Sequence, residues 1–190
     1  MTSRVPRRLY LTIVAGALIM SVAMGIRQSY GLILGPASME WGLSLPMFAL
    51  AIALHNLVWG LAQPVAGAIA DRYGAAPVVV AGAIAYALGL ALTATMPGLW
   101  PAMVGTGVLV GIGLSCTSYG TVLAAVGRAA PPERRTAMMG TASAIGSIGG
   151  AVVVPATQYM IEASGVGAAL LGLALAMVVS APLAFVFLGT

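Results

Sequence analysis

The sequence predicts an all-α membrane protein of six transmembrane helices, folded as two inverted three-helix repeats. Three observations carry that prediction. Hydrophobic residues make up 61% of the 190 positions and charged residues 6%, and a mean hydropathy of +1.05 lies well outside the range of water-soluble globules. The eight basic residues are all arginine, and seven of them gather in alternate segments between apolar stretches. A proline–acid–glycine pattern recurs at one spacing in both halves of the chain.

The apolar stretches are taken in chain order. Block 9–34 follows Arg4, Arg7 and Arg8 and stops at Gly35-Pro36. Two arginines before an apolar run also open a signal peptide, but this run exceeds signal-peptide length and leads into five more spans. Block 46–70 begins at Ser44-Leu-Pro46, where proline suits the first helical turn. It ends in the charged octapeptide Gly67-Ala-Ile-Ala-Asp71-Arg72-Tyr73-Gly74. Block 77–96 closes at Met96-Pro97-Gly98, and block 100–127 runs into the segment from Arg128 to Arg135. Blocks 136–161 and 166–188 are separated by Glu162 to Gly167. Each block can cross a hydrocarbon core that needs about 20 helical residues, and none alternates as a barrel strand of about ten residues would. Short connections make neighbouring spans antiparallel, so residues 1–190 form one bundle.

Arg4, Arg7 and Arg8, then Arg72, then Arg128, Arg134 and Arg135 mark three alternate segments, and the intervening loops carry no arginine. By the positive-inside rule the N terminus and the loops at about 71–76 and 128–135 are cytoplasmic, and an even number of spans returns the C terminus to the same side. Trp41, Trp100 and Tyr159 then fall near the outer interface and Tyr10 and Tyr73 near the inner one. The net charge of +4 therefore reports topology and implies no nucleic-acid partner. A single cysteine, Cys116, excludes an intrachain disulfide, and one histidine with one cysteine offers no metal-site spacing.

Pro64, Asp71 and Gly74 recur as Pro155, Glu162 and Gly165 at an offset of 91 residues, and Ser29-Tyr30-Gly31 recurs as Ser118-Tyr119-Gly120 at 89. Repeat 1 thus covers about 9–96 and repeat 2 about 100–188. Three spans is an odd number, so the second copy enters the membrane inverted. Lipid supplies no hydrophobic force between helices, and small residues must let the spans approach. Gly107, Gly111, Ser115 and Ser118 share a face of the fourth span. Ser143 with Ser147 and Gly146 with Gly150 do the same on the fifth.

Polar side chains inside the spans point to function, because each is costly in hydrocarbon unless it faces the bundle or a wet cavity. Arg27 lies deep in the first span, with no acid at its depth. A central arginine costs about 2.5–3.5 kcal/mol, which suits an aqueous pocket and an anionic visitor held by the planar fork. The alternative is a guanidinium that snorkels outward or bonds helix carbonyls. On the second span, with His55 at 0°, Trp59 falls near 40°, Gln63 near 80° and Asn56 near 100°. All four fit one face. His55 is a candidate proton carrier, or else a hydrogen-bonded packing residue. Ser115, Cys116, Thr117, Ser118 and Tyr119 cluster near mid-membrane on the fourth span, where hydroxyls either meet a ligand or satisfy their own helix.

The octapeptide Gly67 to Gly74 resembles the loop between the second and third membrane helices of major facilitator superfamily transporters. Together with Gly25-Ile-Arg27-Gln28-Ser-Tyr30-Gly31, Asn56-Leu-Val-Trp59-Gly60-Leu-Ala-Gln63-Pro64 and Pro132-Glu133-Arg134-Arg135, it makes the chain similar to the bacterial monocarboxylate-porter and oxalate–formate-antiporter-type branch. The resemblance implies half of that fold, in a bacterial inner membrane. It also implies secondary active transport of a small organic anion such as a monocarboxylate, with a proton as candidate co-substrate, by alternating access. Substrate-binding residues would be Arg27, Gln28, Tyr30, His55, Asn56, Trp59, Gln63, Ser115, Ser118 and Tyr119. Gly67, Asp71, Arg72, Gly74, Arg128, Glu133, Arg134 and Arg135 would form a conformational latch. Two departures stand out: Ala75-Ala76 replaces basic residues common in relatives, and the fourth span lacks an early arginine. Six helices would leave the polar face against lipid, so the expected partner is a second copy in a homodimer. The alternative is a complementary six-helix half, with this chain an isolated, split or structural subunit. No paired carboxylates, metal cluster or nucleophile–base pair suggests an enzyme, and no cofactor is expected.

Overall fold

The computed structural model describes residues 7–188, with side chains from residue 9 onward; Arg4 and the side chains of Arg7 and Arg8 lie outside the described residues. Among the described residues there is no strand, and five helical segments are long and apolar enough to cross a membrane. They are α1 (Arg7–Trp41), α2 (Leu45–Tyr73), α3 (Ala75–Thr95), an interrupted α4 (Leu99–Ala129) and α5 (Arg135–Ser180), which tightens into 3-10 turns over Ala181–Phe187.

The expected fifth and sixth blocks are joined in α5 with no loop between them. At Gly165 the backbone leaves the helical region, at φ 83° and ψ 172°, and divides α5 into two arms. The loop expected over Glu162 to Gly167 shrinks to this one residue. Only glycine takes such a positive φ without a Cβ penalty. The same economy operates at the charged octapeptide: Asp71, Arg72 and Tyr73 form the last turn of α2, Gly74 alone breaks it at φ 89° and ψ 156°, and Ala75 starts α3. The 71–76 loop is therefore a single-residue corner. The loop at 128–135 likewise narrows, because α4 continues to Ala129 and Pro132–Arg134 form a 3-10 turn. Gly35-Pro36 does not end α1. The helix passes through Pro36 to Trp41, and the chain turns at Gly42, where φ is 65°.

Close helix approach is built from glycine. A Cβ at Gly25 would strike Val153, and one at Gly149 would overlap the backbone of Ser21, so α1 and the first arm of α5 touch almost main chain to main chain. Gly146 packs on Met20 and Gly150 on the amide of Gln28. This seam is glycine-based, and Ser147 instead bonds the Ser143 carbonyl of its own helix at 3.0 Å. Between α3 and α4 the crossing uses Gly82 against Cys116, Gly89 against Gly105, and Gly113 against Tyr86. Gly107 and Gly111 face Leu54, His55 and Val58 of α2. Buried Tyr30, Phe48, Tyr86, Leu90, Leu114, Leu170 and Met177 fill the core of one end, and Met20, Val79, Val122, Val126 and Phe187 that of the other.

Two irregularities in α4 matter for the site. Ala102–Leu109 is a widened π-helical stretch, a form that often marks functional positions. At Ser118 the backbone is extended, with φ −96° and ψ −169°, and the arm Tyr119–Ala129 starts afresh. Thr121 Oγ1 donates to the Ser115 carbonyl at 3.2 Å, satisfying a group that the break releases.

The second arm of α5 has a cap from a distant residue. Glu40, near the end of α1, accepts the Val166 N–H at 3.0 Å, and its carboxylate faces Gly165. A carboxylate at a helix N terminus meets the positive end of the dipole. Glu40→Ala is expected to lower stability by about 0.5–1 kcal/mol, with Glu40→Gln losing less, as read from thermal unfolding in detergent.

Candidate functional site

Arg27 projects from α1 toward α2. Its Nη2 donates to Asn56 Oδ1 at 2.8 Å, and its Cζ lies 4.8 Å from the centroid of the Trp59 ring, within cation–π range. Its Nε is buried without a hydrogen-bond partner. Among the described residues Arg27 forms no ion pair, and the one ion pair there lies elsewhere. The guanidinium is thus oriented by neutral groups and has no carboxylate partner among the described residues.

The groups around it are themselves held in place. Asn56 Nδ2 donates to the Ile52 carbonyl one turn back at 2.8 Å, which turns Oδ1 toward Arg27. Trp59 Nε1 donates to Ser118 Oγ at 3.1 Å. Behind this layer His55 is 1% exposed, with neither ring nitrogen partnered, and its ring meets Tyr30 edge-on at 5.4 Å between centroids. Buried polar atoms normally have partners. Arg27 Nε and the two His55 nitrogens therefore mark a region that is unsatisfied as it stands.

The remaining expected residues divide. Gln63 places its amide beside Gly120 at the start of the second arm of α4, next to Ser118. Tyr119 pairs with Ser147 of α5, hydroxyl to hydroxyl at 3.4 Å, on an open surface. Gln28 turns the other way and lies over Gly150 of α5. Tyr30 is fully buried and its hydroxyl points at Thr106 Oγ1 at 3.5 Å, which in turn lies 3.1 Å from Thr93 Oγ1. Ser115 donates to the Ile112 carbonyl of its own helix at 2.7 Å. The structure therefore brings Arg27, Asn56, Trp59 and Ser118 together, sets His55 behind them and Gln63 beside them, leaves Gln28 exposed over Gly150, and puts Tyr30 and Ser115 in packing positions. Thr106 was not singled out in the sequence and Ser147 only as a packing residue, because a lone hydroxyl in a Gly- and Ala-rich span carries no further signal.

At the opposite end from Glu40, Asp71 at the foot of α2 pairs with Arg128 near the end of α4, Oδ1 to Nη1 at 2.9 Å. Arg72 stacks on the ring of Tyr73 at 5.3 Å. Gly67 has open space around it, and Glu133, Arg134 and Arg135 are solvent-exposed in the turn after α4. An exposed ion pair contributes at most about 1 kcal/mol, so Asp71→Asn is expected to leave the unfolding temperature almost unchanged. A transition lowered by more than about 8 °C in Asp71→Asn would contradict that small value.

The model of the Major Facilitator Superfamily matches residues 9–190. A curated relative, monocarboxylate transporter 11 of Mus musculus, is 29% identical over 150 residues, which is 79% of this chain and 33% of that protein. The chain spans about a third of the length of that relative.

Proposed function

The chain belongs to the major facilitator superfamily, a multi-pass membrane family of transporters rather than enzymes, and from that premise we propose that it forms the anion-binding bundle of a secondary active transporter. The substrate class is a small monocarboxylate, carried by alternating access, with a proton as candidate co-substrate through His55. One observation carries this: the Arg27 guanidinium is oriented by Asn56 and the Trp59 face, is unpaired with any acid, and keeps a buried Nε without a partner. A carboxylate can take that Nε and the neighbouring edge of the fork through charge-assisted bonds. The similarity to monocarboxylate transporter 11 points the same way.

The proposed architecture is six spans in two inverted repeats, the two arms of α5 crossing separately. A 46-residue helix would be about 70 Å long, more than twice a hydrocarbon core of about 30 Å, so the break at Gly165 is where the chain turns back. Gly74 and Gly165, 91 residues apart, share nearly one backbone conformation, and Pro64 and Pro155 both sit inside helices, which favours the repeat. The Asp71–Arg128 pair supports a common side for the foot of α2 and the end of α4, and the arginines gathered there favour the cytoplasm for that side. There Gly67, Asp71, Arg72, Gly74, Arg128, Glu133, Arg134 and Arg135 would act as the latch.

Asn56 is exposed and Arg27 only half buried, a face that hydrocarbon disfavours. A second six-helix bundle would cover it. The first reading is a second copy of this chain, related by an axis along the membrane normal; the other is a complementary half to which this chain is a subunit. Saturable uptake of radiolabelled lactate into proteoliposomes, competed by other monocarboxylates and not by their amides, is the expected result. Amides competing as well as acids would contradict the anion reading. Particle mass in nanodiscs, after subtraction of lipid and scaffold, is expected at twice the 19.0 kDa of one chain; a single-chain mass favours the complementary half.

A further inference from the structure

Ser118 occupies the N-cap position of the arm Tyr119–Ala129, where a serine hydroxyl ordinarily accepts an N–H of the first helical turn. Here it makes no such cap. The hydroxyl is fully buried and takes the indole N–H of Trp59 instead, at 3.1 Å. It can reach that position because the backbone is extended at this residue; on a continuous helix the same side chain would point elsewhere. Trp59 in turn presents its ring face to Arg27 at 4.8 Å.

We propose that Ser118 is a positioning residue that couples the break in α4 to the anion site: its hydroxyl fixes Trp59, and the ring of Trp59 fixes the guanidinium of Arg27. The proposal takes as given that Arg27 receives the anion, and it gives Ser118 and Trp59 a role other than contact with the substrate. An anion drawn to Arg27 shifts the guanidinium on the ring and so biases the Trp59–Ser118 bond. A change of the α4 break that withdraws the hydroxyl loosens Arg27. By linkage the two effects are equal in size, so occupancy of the site and the conformation of α4 report on one another. Asn56 differs from Ser118 in that, apart from its bond to Arg27, it is anchored within α2 through the Ile52 carbonyl. Ser118 is the point through which α4 acts.

The test uses the chain in nanodiscs with Trp41 and Trp100 replaced by phenylalanine, so that Trp59 is the sole tryptophan and is excited selectively over the tyrosines, and acetate as probe with acetamide as neutral control. In the parent, acetate and not acetamide changes Trp59 emission saturably. Ser118→Ala weakens acetate about three- to tenfold and shifts the emission of the unliganded protein, since one net hydrogen bond is lost; Ser118→Thr restores both. Trp59→Phe, measured by labelled-acetate binding, keeps a ring face and loses the N–H. It weakens acetate by a similar factor, and the double variant is no weaker than either single one. If Ser118→Ala does not fold, Trp59→Phe alone decides the matter, since it removes the same N–H donor and leaves Ser118 in place. Parent-like affinity in a folded Ser118→Ala, or in Trp59→Phe, overturns the coupling while leaving Arg27 as the anion site. A parent that binds no acetate overturns the anion reading and the coupling with it.

Discussion

Replacing Arg27 with alanine is expected to reduce carboxylate uptake between about tenfold and about a hundredfold, because hydrogen bonds to a charged group are worth about 1.5–3 kcal/mol. The bundle itself should survive. Arg27 makes one hydrogen bond, to an exposed Asn56 that water or a headgroup can satisfy in its place, and stacks on a ring that keeps its bond to Ser118. Arg27→Lys separates charge from shape. A lysine ammonium retains the attraction but presents a point charge in place of the fork, so uptake should fall to an intermediate level. Proteoliposome uptake with the two variants at matched protein density reads both effects. Alanine and lysine variants that fail equally would point to the fork, and two that transport as the parent does would remove Arg27 from the mechanism.

Gly149→Ala is expected to have the largest effect on folding. The added Cβ would lie inside the backbone of Ser21, and no rotamer change can relieve overlap with main chain. Over-packing in a core costs about 1–3 kcal/mol when side chains can yield, so a site where they cannot should reach at least about 3 kcal/mol. The contact between α1 and α5 is the most extensive in the bundle, and Ser21 Oγ donates across it to the Ile145 carbonyl at 3.1 Å. Separating the helices would break this bond and the Thr157–Ser29 bond at 3.0 Å further along. The same change at Gly140, which has open space around it, should be neutral or slightly stabilising by helix propensity. Thermal unfolding in one detergent compares the two, and equal transitions would contradict the close approach at Gly149.

Much of this was legible in the sequence, for identifiable reasons. Apolar blocks of membrane length reveal helices by composition alone, and the octapeptide with its flanking motifs led to the family. The ends of helices were less legible. Gly35-Pro36 reads as a stop, yet α1 runs through it, because a proline within a long membrane helix removes one hydrogen bond without ending the span. The loops at Asp71 and Glu162 read as several residues, yet each resolves to one glycine with a positive φ. Helical spacing put His55, Asn56, Trp59 and Gln63 on one face of α2, and the structure sets Arg27 of α1 against Asn56 and Trp59, a contact that spacing within one helix does not reveal. Spacing could not reveal the break at Ser118, since no proline or glycine occupies that position, nor the bond from Trp59 that the break accompanies, whose partners are 59 residues apart. The cap of Val166 by Glu40 was equally hidden, because its partners are 126 residues apart.

The central claim is that a carboxylate binds this bundle through the guanidinium of Arg27. Equilibrium binding of radiolabelled lactate to the chain in nanodiscs tests it most directly, because binding does not depend on how the second bundle is supplied. Saturable binding to the parent, displaced by acetate and not by acetamide, and weakened about tenfold or more in a folded Arg27→Ala variant, is the predicted result. Lactate binding with the same affinity in the parent and in Arg27→Ala would contradict it.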